Sequence, residues 1–357
     1  MAQSGEGKTS VSWTLATADS FKAQGNGGYY KLKKTVGKGD GAFALQDISA
    51  GTRILVDNAL FIIEKSTSDL DPFDIHQALR KLSKTDQERF HMLPMPDYAK
   101  DSPREVRSFA IFALDHHSIR GGTAQGCFVH ASRFNHSCSP NCAMATNDEG
   151  QKHCYVFKNV RAGEELTFAY MDPVQYMTTD ERQEYLRDCL SGPCLCALCS
   201  TSAPQREVSD LRRRLMRFLL FIRNGSDLPG EVRRKIPRDY HNNYISWDTM
   251  VDKCILWPML LFAYLAEAEG IVSGVSLRYN YIYLIKVVIG WCINNKVRRL
   301  SVETARCLRL WAGKAREAKR LTTGQDSDSG TSAEEGFADI CNIVDDIDAE
   351  GYLPWSV

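Results

Sequence analysis

The chain has 357 residues, 43% of them hydrophobic and 25% charged, with 44 basic and 44 acidic side chains and so no formal net charge. That length supports two domains with real cores, and the composition is that of a globular chain rather than a fibrous or disordered one. The balanced charge removes the general attraction to phosphate backbones and anionic lipid surfaces, so neither nucleic acid nor membrane is an expected partner.

Residues 1–28, rich in Gly, Ser, Thr and Ala with no apolar period, predict a disordered tail. They lack the charged and apolar regions of a secretory signal. Order is expected from Tyr29. Tyr30 to Lys33 alternates as a strand, and Gly37-Lys38-Gly39-Asp40-Gly41 forces a tight turn, because glycine accepts positive φ and lets a ligand approach the backbone. Short strands are expected at Ala42 to Leu45, Ile54 to Val56 and Ala59 to Glu64. Three helices follow, at Phe73 to Leu82, Asp86 to Met92 and Arg104 to Leu114. Ser102-Pro103 reads as an N-cap with proline at the first helical position. Strand patterns return at Cys127 to Val129, Cys154 to Phe157 and Leu166 to Tyr170. Thr178 with Glu181 makes a capping box that opens a helix ending near Asp188.

After about residue 201 the pattern becomes helical throughout. Helices are predicted over Arg206 to Ile222, Trp247 to Ala268, Leu277 to Cys292 and Val302 to Lys319. A loop over Leu321 to Gly336 precedes a short last helix, Phe337 to Ile347. The most apolar run, Cys254 to Ala266, is too short to span a bilayer and contains Pro258. Ser276 to Ile293 is broken by Arg278 and Lys286. Both read as buried helices of a protein of the cytoplasm, the nucleus or both.

Chemistry concentrates in three segments: Arg133 to Cys142 (Arg-Phe-Asn-His-Ser-Cys-Ser-Pro-Asn-Cys), Gly163 to Tyr170 (Gly-Glu-Glu-Leu-Thr-Phe-Ala-Tyr), and Cys194-Leu195-Cys196-Ala197-Leu198-Cys199. Three thiols within six residues can face one tetrahedral ion if a fourth ligand arrives from elsewhere, and Cys138 and Cys142 are the nearest donors. Four soft sulfur ligands suit zinc. Twelve cysteines in a chain without a secretory signal argue for a reducing compartment and against a disulfide hairpin. The remaining cysteines read as small apolar residues. Glu164 and Glu165 read as a solvated corner before a strand. His116 and His117, side by side after a helix, have no motif to support a metal site.

Taken in this order, the three segments resemble the SET domain, the fold of most protein-lysine methyltransferases, and in particular the SET-and-MYND proteins and their fungal-type cousins. The resemblance covers roughly residues 30–201. It implies an α+β fold: a SET domain of small β-sheets over residues 29–172 with a helical insert at about 70–121, a zinc-binding post-SET segment over 173–201, and an all-helical C-terminal region over 202–357. The MYND module is absent, because no cysteine lies between Asp57 and Gly126. The resemblance also implies S-adenosylmethionine as methyl donor, with Lys38, Gly39, Ser132, Phe134, Asn135 and His136 as its contacts. Tyr170 is implied as the catalytic residue where the lysine channel meets that cofactor. Cys138, Cys194, Cys196 and Cys199 are the implied zinc ligands, with Cys142 as the fallback.

The expected activity is methylation of a lysine in a histone or another protein. The chain departs from the family at Gly192, where relatives carry an aromatic residue, and around Phe112 to His117, where they carry an asparagine. A channel wall would then come from Tyr176, Tyr185 or the C-terminal helices. Two other readings stay open: a SET-fold binding module with little catalysis, and a methyltransferase or cofactor-dependent catalyst acting on a small molecule.

Overall fold

The computed structural model describes residues 28–355 except 36, 148, 191, 225–255, 272–273 and 324–331. The expected tail lies outside these residues apart from Gly28, as does the start of the helix expected from Trp247. The described part is α+β, with three small sheets, a helical insert and a helical C-terminal region.

Strands β1 (Tyr30–Thr35) and β2 (Gly39–Ala44) form a hairpin. The turn between them places Gly37 and Gly39 at φ 75° and 76°, a region open to glycine and costly for other residues. Next come β3 (Arg53–Asn58) and β4 (Phe61–Ile63), then the insert helices α1 (Pro72–Arg80), α2 (Lys84–His91) and α3 (Arg104–Asp115). Helix α1 opens on a full capping box between Asp71 and Asp74, and α2 on the Ser83 hydroxyl, which accepts from the Asp86 N–H. Helix α3 departs from expectation. Pro103 itself occupies the cap position with extended ψ, and no side chain caps the helix, so Ser102 lies one residue too early to do so.

The remaining strands are β5 (His116–Ile119), β6 (Ala124–Cys127), β7 (Asn135–His136), β8 (Cys142–Thr146), β9 (Gln151–Val156) and β10 (Glu165–Phe168). They assemble as β1-β2-β10-β7, β3-β9-β8 and β4-β6-β5. Two strands differ from the expected positions. The one expected at Cys127 to Val129 lies earlier, because β4 pairs with residues 125–127 and leaves Phe128 and Val129 beyond its end. The one expected to reach Tyr170 stops at Phe168, where pairing with β7 ends. Phe128, Phe134, Ile54, Leu55, Val156 and Leu166 fill the core between the first two sheets. Ile75, Phe90 and Phe112 bind the insert to the third.

Helix α4 (Thr179–Leu190) starts at the predicted box. The Glu181 carboxylate accepts from both the N–H and the hydroxyl of Thr178. Helices α5 (Ala203–Asn224), α6 (Leu256–Ala268), α7 (Gly274–Asn294), α8 (Val302–Thr323) and α9 (Ser332–Asp345) follow. The first and last residues of the expected 321–336 loop are thus helical, α8 running on to Thr323 and α9 starting five residues before Phe337. Met216, Phe262, Tyr281, Leu284, Ile285, Leu308 and Ala312 form a separate core here.

Helix α8 lies on β8 and β9, and the Arg320 guanidinium donates to the Ala50 carbonyl. Gly51, at φ 91°, leaves room for that arginine, which an added Cβ would overlap. No helix of the described residues is long and apolar enough to cross a membrane. The described parts of the two apolar runs fall in α6 and α7, which bury Phe262, Ala263, Ala266, Tyr281, Leu284 and Ile285 and leave Leu261, Tyr264, Trp291 and Ile293 exposed.

Candidate functional site

The site forms where β7 and β10 run side by side. Their parallel pairing sets Thr167 against Asn135 and Phe168 against His136. The Ser137 N–H donates to the Phe168 carbonyl. Asn141 extends the clamp: its amide donates to the Glu165 carbonyl at 2.9 Å and its oxygen accepts from the Thr167 N–H at 2.8 Å. Two segments thirty residues apart in sequence are thereby locked together by backbone groups, which have no other way to be satisfied in a buried position.

Tyr170 leaves the end of β10 and folds back over this pair. Its hydroxyl donates to the Phe134 carbonyl at 3.2 Å, its N–H donates to His136 Nδ1 at 3.1 Å, and its ring meets the His136 ring edge-on at 5.2 Å. Burial pushes the phenol well above its ordinary pKa, so it stays protonated through the neutral range. Phe134 is itself fully buried, its ring set edge-on against Tyr30 at 5.0 Å.

The loop that carries the motif is held from behind by an acid that sequence reasoning missed. Asp57, 3% exposed, accepts from the N–H groups of His130 and Ala131 at 2.9 Å each. Burial raises its pKa to about 6 against those two bonds. Nothing local in Val56-Asp57-Asn58 announces this, because the burial arises only when β3 pairs with β9.

A second group of polar atoms converges on Gly41. The Asn135 amide donates to Glu165 Oε1 at 2.7 Å, and Lys38 Nζ lies 3.5 Å from Glu165 Oε2. The Thr35 hydroxyl is buried there without a hydrogen-bond partner. A Cβ on Gly41 would lie within 2.8 Å of Thr35 Oγ1, Asn135 Nδ2 and Glu165 Oε1 alike. Glu165 is therefore not the solvated corner it resembles in sequence. It lies on β10 opposite Phe43 of β2, and it joins the turn lysine to the motif asparagine. Glu164, beside it, is exposed as expected. The group holds a cation, a carboxylate, an amide and an unpartnered hydroxyl around an empty Cβ position. That donor set matches an amino acid end group bearing both charges. Gly39 is exposed at the turn, while Ser132 is half-buried, and its hydroxyl is already committed to the Phe128 carbonyl at 2.7 Å.

Gly41→Ala tests this cradle. The methyl displaces Asn135 or Glu165, and overpacking of this kind costs about 1–3 kcal/mol of stability. For a donor seated here, as the resemblance implies, the expected result is a roughly tenfold or greater loss of S-adenosylmethionine affinity, equivalent to at least about 1.4 kcal/mol. Isothermal titration beside a melting curve reads both, and unchanged affinity would remove the cradle from the binding site.

Asp115 ends α3 against Ser132 and Arg133, in the stretch where the sequence lacks the relatives' asparagine. Its Oδ2 is buried without a partner, and burial raises its pKa from 3.8 to about 7. The native state thus keeps a proton that the unfolded chain releases above about pH 4. Stability from this residue is full below that pH and falls as the pH rises to 7, by up to about 4 kcal/mol. Asp115→Asn removes the loss, so its melting temperature relative to wild type rises between pH 5 and pH 8. A constant difference would place the unfavourable charge elsewhere.

The four predicted metal ligands come together. Cys138, Cys194, Cys196 and Cys199 are all buried, with their sulfurs within 4.8 Å of one another. Cys138 Sγ lies 3.8 Å from Cys194 and 3.7 Å from Cys199. Four sulfurs at the usual zinc distance in a tetrahedron lie about 3.8 Å apart, so this donor set can hold such an ion without rearrangement. Cys142, the fallback, stands outside the cluster, buried beside Cys154.

Helix α4 and a Gln183 side chain bonded to both the N–H and C=O of Cys194 fix the thiol loop. Arg182, wholly buried, supplies compensating charge. Burial lowers its pKa, but Cys199 and Cys138 beside it raise it further, so the guanidinium keeps its charge. Among the described residues no other His, Cys, Asp or Glu group of this kind occurs. His116 instead bonds the α3 carbonyls, and His117 packs on Phe128 and Phe168. Of the residues suggested for a channel wall, Tyr176 packs on Phe262 of α6 and Tyr185 is 41% exposed.

The family model described as the SET domain matches residues 39–171. The histone-lysine N-methyltransferase set5 of Schizosaccharomyces pombe is 33% identical over 193 residues, 53% of this chain and 56% of that protein. The histone-lysine N-methyltransferase SMYD3 of Mus musculus is 38% identical over 78 residues, 21% of this chain and 17% of that protein. A SET and MYND domain-containing protein of Dictyostelium discoideum is 37% identical over 81 residues, covering 22% and 15%. The chain spans about half the length of the first of these relatives and less than a fifth of the other two.

Proposed function

We propose that this chain, which carries a SET domain over residues 39–171, is an S-adenosylmethionine-dependent protein-lysine N-methyltransferase with a structural zinc ion on Cys138, Cys194, Cys196 and Cys199. The observation that supports it most is the position of Tyr170, tied by its hydroxyl to Phe134 and by its N–H to His136 in the motif strand. Set5 and SMYD3, named as histone-lysine methyltransferases, add a histone or similar basic protein as the substrate class.

S-adenosylmethionine, when bound, supplies an electrophilic methyl group on a sulfonium. Lys38 and Glu165 carry the charges to meet its carboxylate and ammonium ends, and Asn135 the amide to orient them. The chain's own residues then have three tasks. They must align an amine with the methyl group, keep water out, and favour the neutral amine. Tyr170 serves the first. Its proton is given to the Phe134 carbonyl, so the phenol oxygen keeps lone pairs to accept an amine N–H. That leaves the nitrogen lone pair free for in-line attack. With the donor bound, the methyl group would pass to that lone pair as its S–C bond broke, leaving a neutral thioether, and the methylated nitrogen would then lose a proton.

The zinc ion is structural in this reading, because all four positions are protein thiols and none is open to substrate. The deciding experiment is transfer of labelled methyl from S-adenosylmethionine into an extract of the source cells, beside a Tyr170→Phe control. A labelled protein made only by the wild type supports the proposal and gives the target's mass. Label confined to small molecules, or no label, overturns it.

A further inference from the structure

The ring of His136 touches both halves of the site. Nδ1 receives the Tyr170 N–H at 3.1 Å, and Nε2 lies 3.2 Å from Cys138 Sγ. A backbone N–H can only donate, so Nδ1 is the acceptor. A nitrogen that accepts carries no proton, so the ring is a neutral tautomer. Its single proton is therefore on Nε2 and points at the sulfur. The ring is 3% exposed and its edge meets the Tyr170 ring at 5.2 Å, so it has little room to turn. On either side the chain is pinned as well, by the pairing of His136 with Phe168 and the bond from the Ser137 N–H to the Phe168 carbonyl.

We propose that His136 is a positioning residue that couples the thiolate cluster to Tyr170: its Nε2–H fixes the Cys138 sulfur while its Nδ1 fixes the backbone of the tyrosine. The inference rests on the methyltransferase reading for its consequence, but its geometry stands without it. A neutral donor on a ligand sulfur steadies the metal, and removing such a partner usually costs about 10- to 100-fold in metal affinity. The same ring anchors the tyrosine's backbone, so a disturbance at the cluster moves the phenol. A shift of about 1 Å in an aligning group can cost about 100-fold in rate. The metal thereby governs turnover although it never meets substrate.

Two variants separate the two bonds. An asparagine amide can stand in for Nδ1 and a glutamine amide for Nε2. His136→Asn keeps the acceptor for Tyr170 and loses the donor to Cys138, and His136→Gln does the reverse. The full zinc-bound chain is labelled with 15N-tyrosine, and the Tyr170 amide is identified by its loss in Tyr170→Phe. Three results are expected. Replacing zinc by cadmium moves the Tyr170 amide resonance in the wild type. His136→Asn releases zinc to a chelator faster while holding that resonance near its wild-type position. His136→Gln keeps zinc, shifts the resonance, and lowers kcat.

A Tyr170 amide indifferent to the metal in the wild type would overturn the coupling, as would a purified wild type holding no metal. So would variants that lose metal and tyrosine position together. The metal exchange decides the matter even if neither variant folds. None of the metal and resonance readouts needs turnover, so failure of the methyltransferase assay is told apart from failure of this link.

Discussion

Tyr170→Phe lowers kcat by about 10²- to 10³-fold, the usual cost of removing one preorganised hydrogen-bonding group from an active site. The substitution deletes one oxygen and its bond to the Phe134 carbonyl. It leaves the ring, its edge contact with His136 and the N–H bond to Nδ1 in place. Stability therefore falls only by the net worth of a hydrogen bond, about 1 kcal/mol. Cofactor affinity stays near that of the wild type, because Lys38, Glu165 and Asn135 bond to one another and not to the phenol. The effect should appear in kcat rather than in KM for S-adenosylmethionine, which marks a contact made mainly in the transition state. Because burial holds the phenol protonated, no limb of the wild-type pH profile between pH 6 and 9 belongs to it. Steady-state kinetics on both proteins check this, and equal kcat values would remove Tyr170 from the reaction.

How much of this could be read from the residues depended on the range of the interaction concerned. The hairpin at Gly37 to Gly41 was legible, because positive φ is a local demand that glycine alone meets cheaply. So was the cluster at Cys194 to Cys199, since three thiols at that spacing can face one tetrahedral ion. The Cys138 ligand was legible only through resemblance. Spacing left Cys142 equally open, and the two part company because Cys142 begins β8 and turns its sulfur toward Cys154. Strands β5 and β8 were not foreseen. His116 to Ile119 and Cys142 to Thr146 carry little apolar alternation, and their strand state comes from the partners β6 and β9.

Glu165, Asp57 and Asp115 were misread or missed for one shared reason. An acid beside an apolar strand looks solvated until the fold shows what stands over it, and at these positions the cover comes from elements distant in sequence. The same holds for Arg182 and Arg213. They sit in helices of ordinary amphipathic pattern, yet both are fully buried between the thiol loop and the C-terminal helices. Arg213 pairs with Glu269 and donates to the Gln175 carbonyl, and Arg217 pairs with Glu181. These contacts fasten α5 to α4 and to the turn before it.

Cys196→Ser abolishes metal binding and loosens this whole junction. An alkoxide is not available at neutral pH, so serine leaves three thiolate ligands and an incomplete tetrahedron. Losing a ligand outright costs more than the roughly 10- to 100-fold that loss of a supporting hydrogen bond costs. The purified variant should hold less than about a tenth as much zinc as the wild type when both are dialysed against a chelator of intermediate strength. The structural consequence follows from charge. With zinc, four thiolates leave a net negative centre against which Arg182 is balanced. Without it that negative centre is gone and Arg182 keeps only the Asp210 carboxylate at 3.8 Å and its bonds to Met177 and Thr179, so the loss stays below the roughly 3–5 kcal/mol of a buried cation left with no partner.

The melting temperature should fall accordingly, and protease cleavage should appear first in residues 189–200, where the cluster is the main tie. Cys142→Ser is the control. Its sulfur is buried outside the cluster, so it costs packing and keeps the metal. Zinc retained at wild-type level in Cys196→Ser would show that the cysteines merely pack together. Loss of zinc from both variants would mean that the metal is held by a different set of thiols. Loss from Cys196→Ser alone, with cleavage confined to the loop, makes the ion the fastening between the motif strand at Cys138 and the helices that follow.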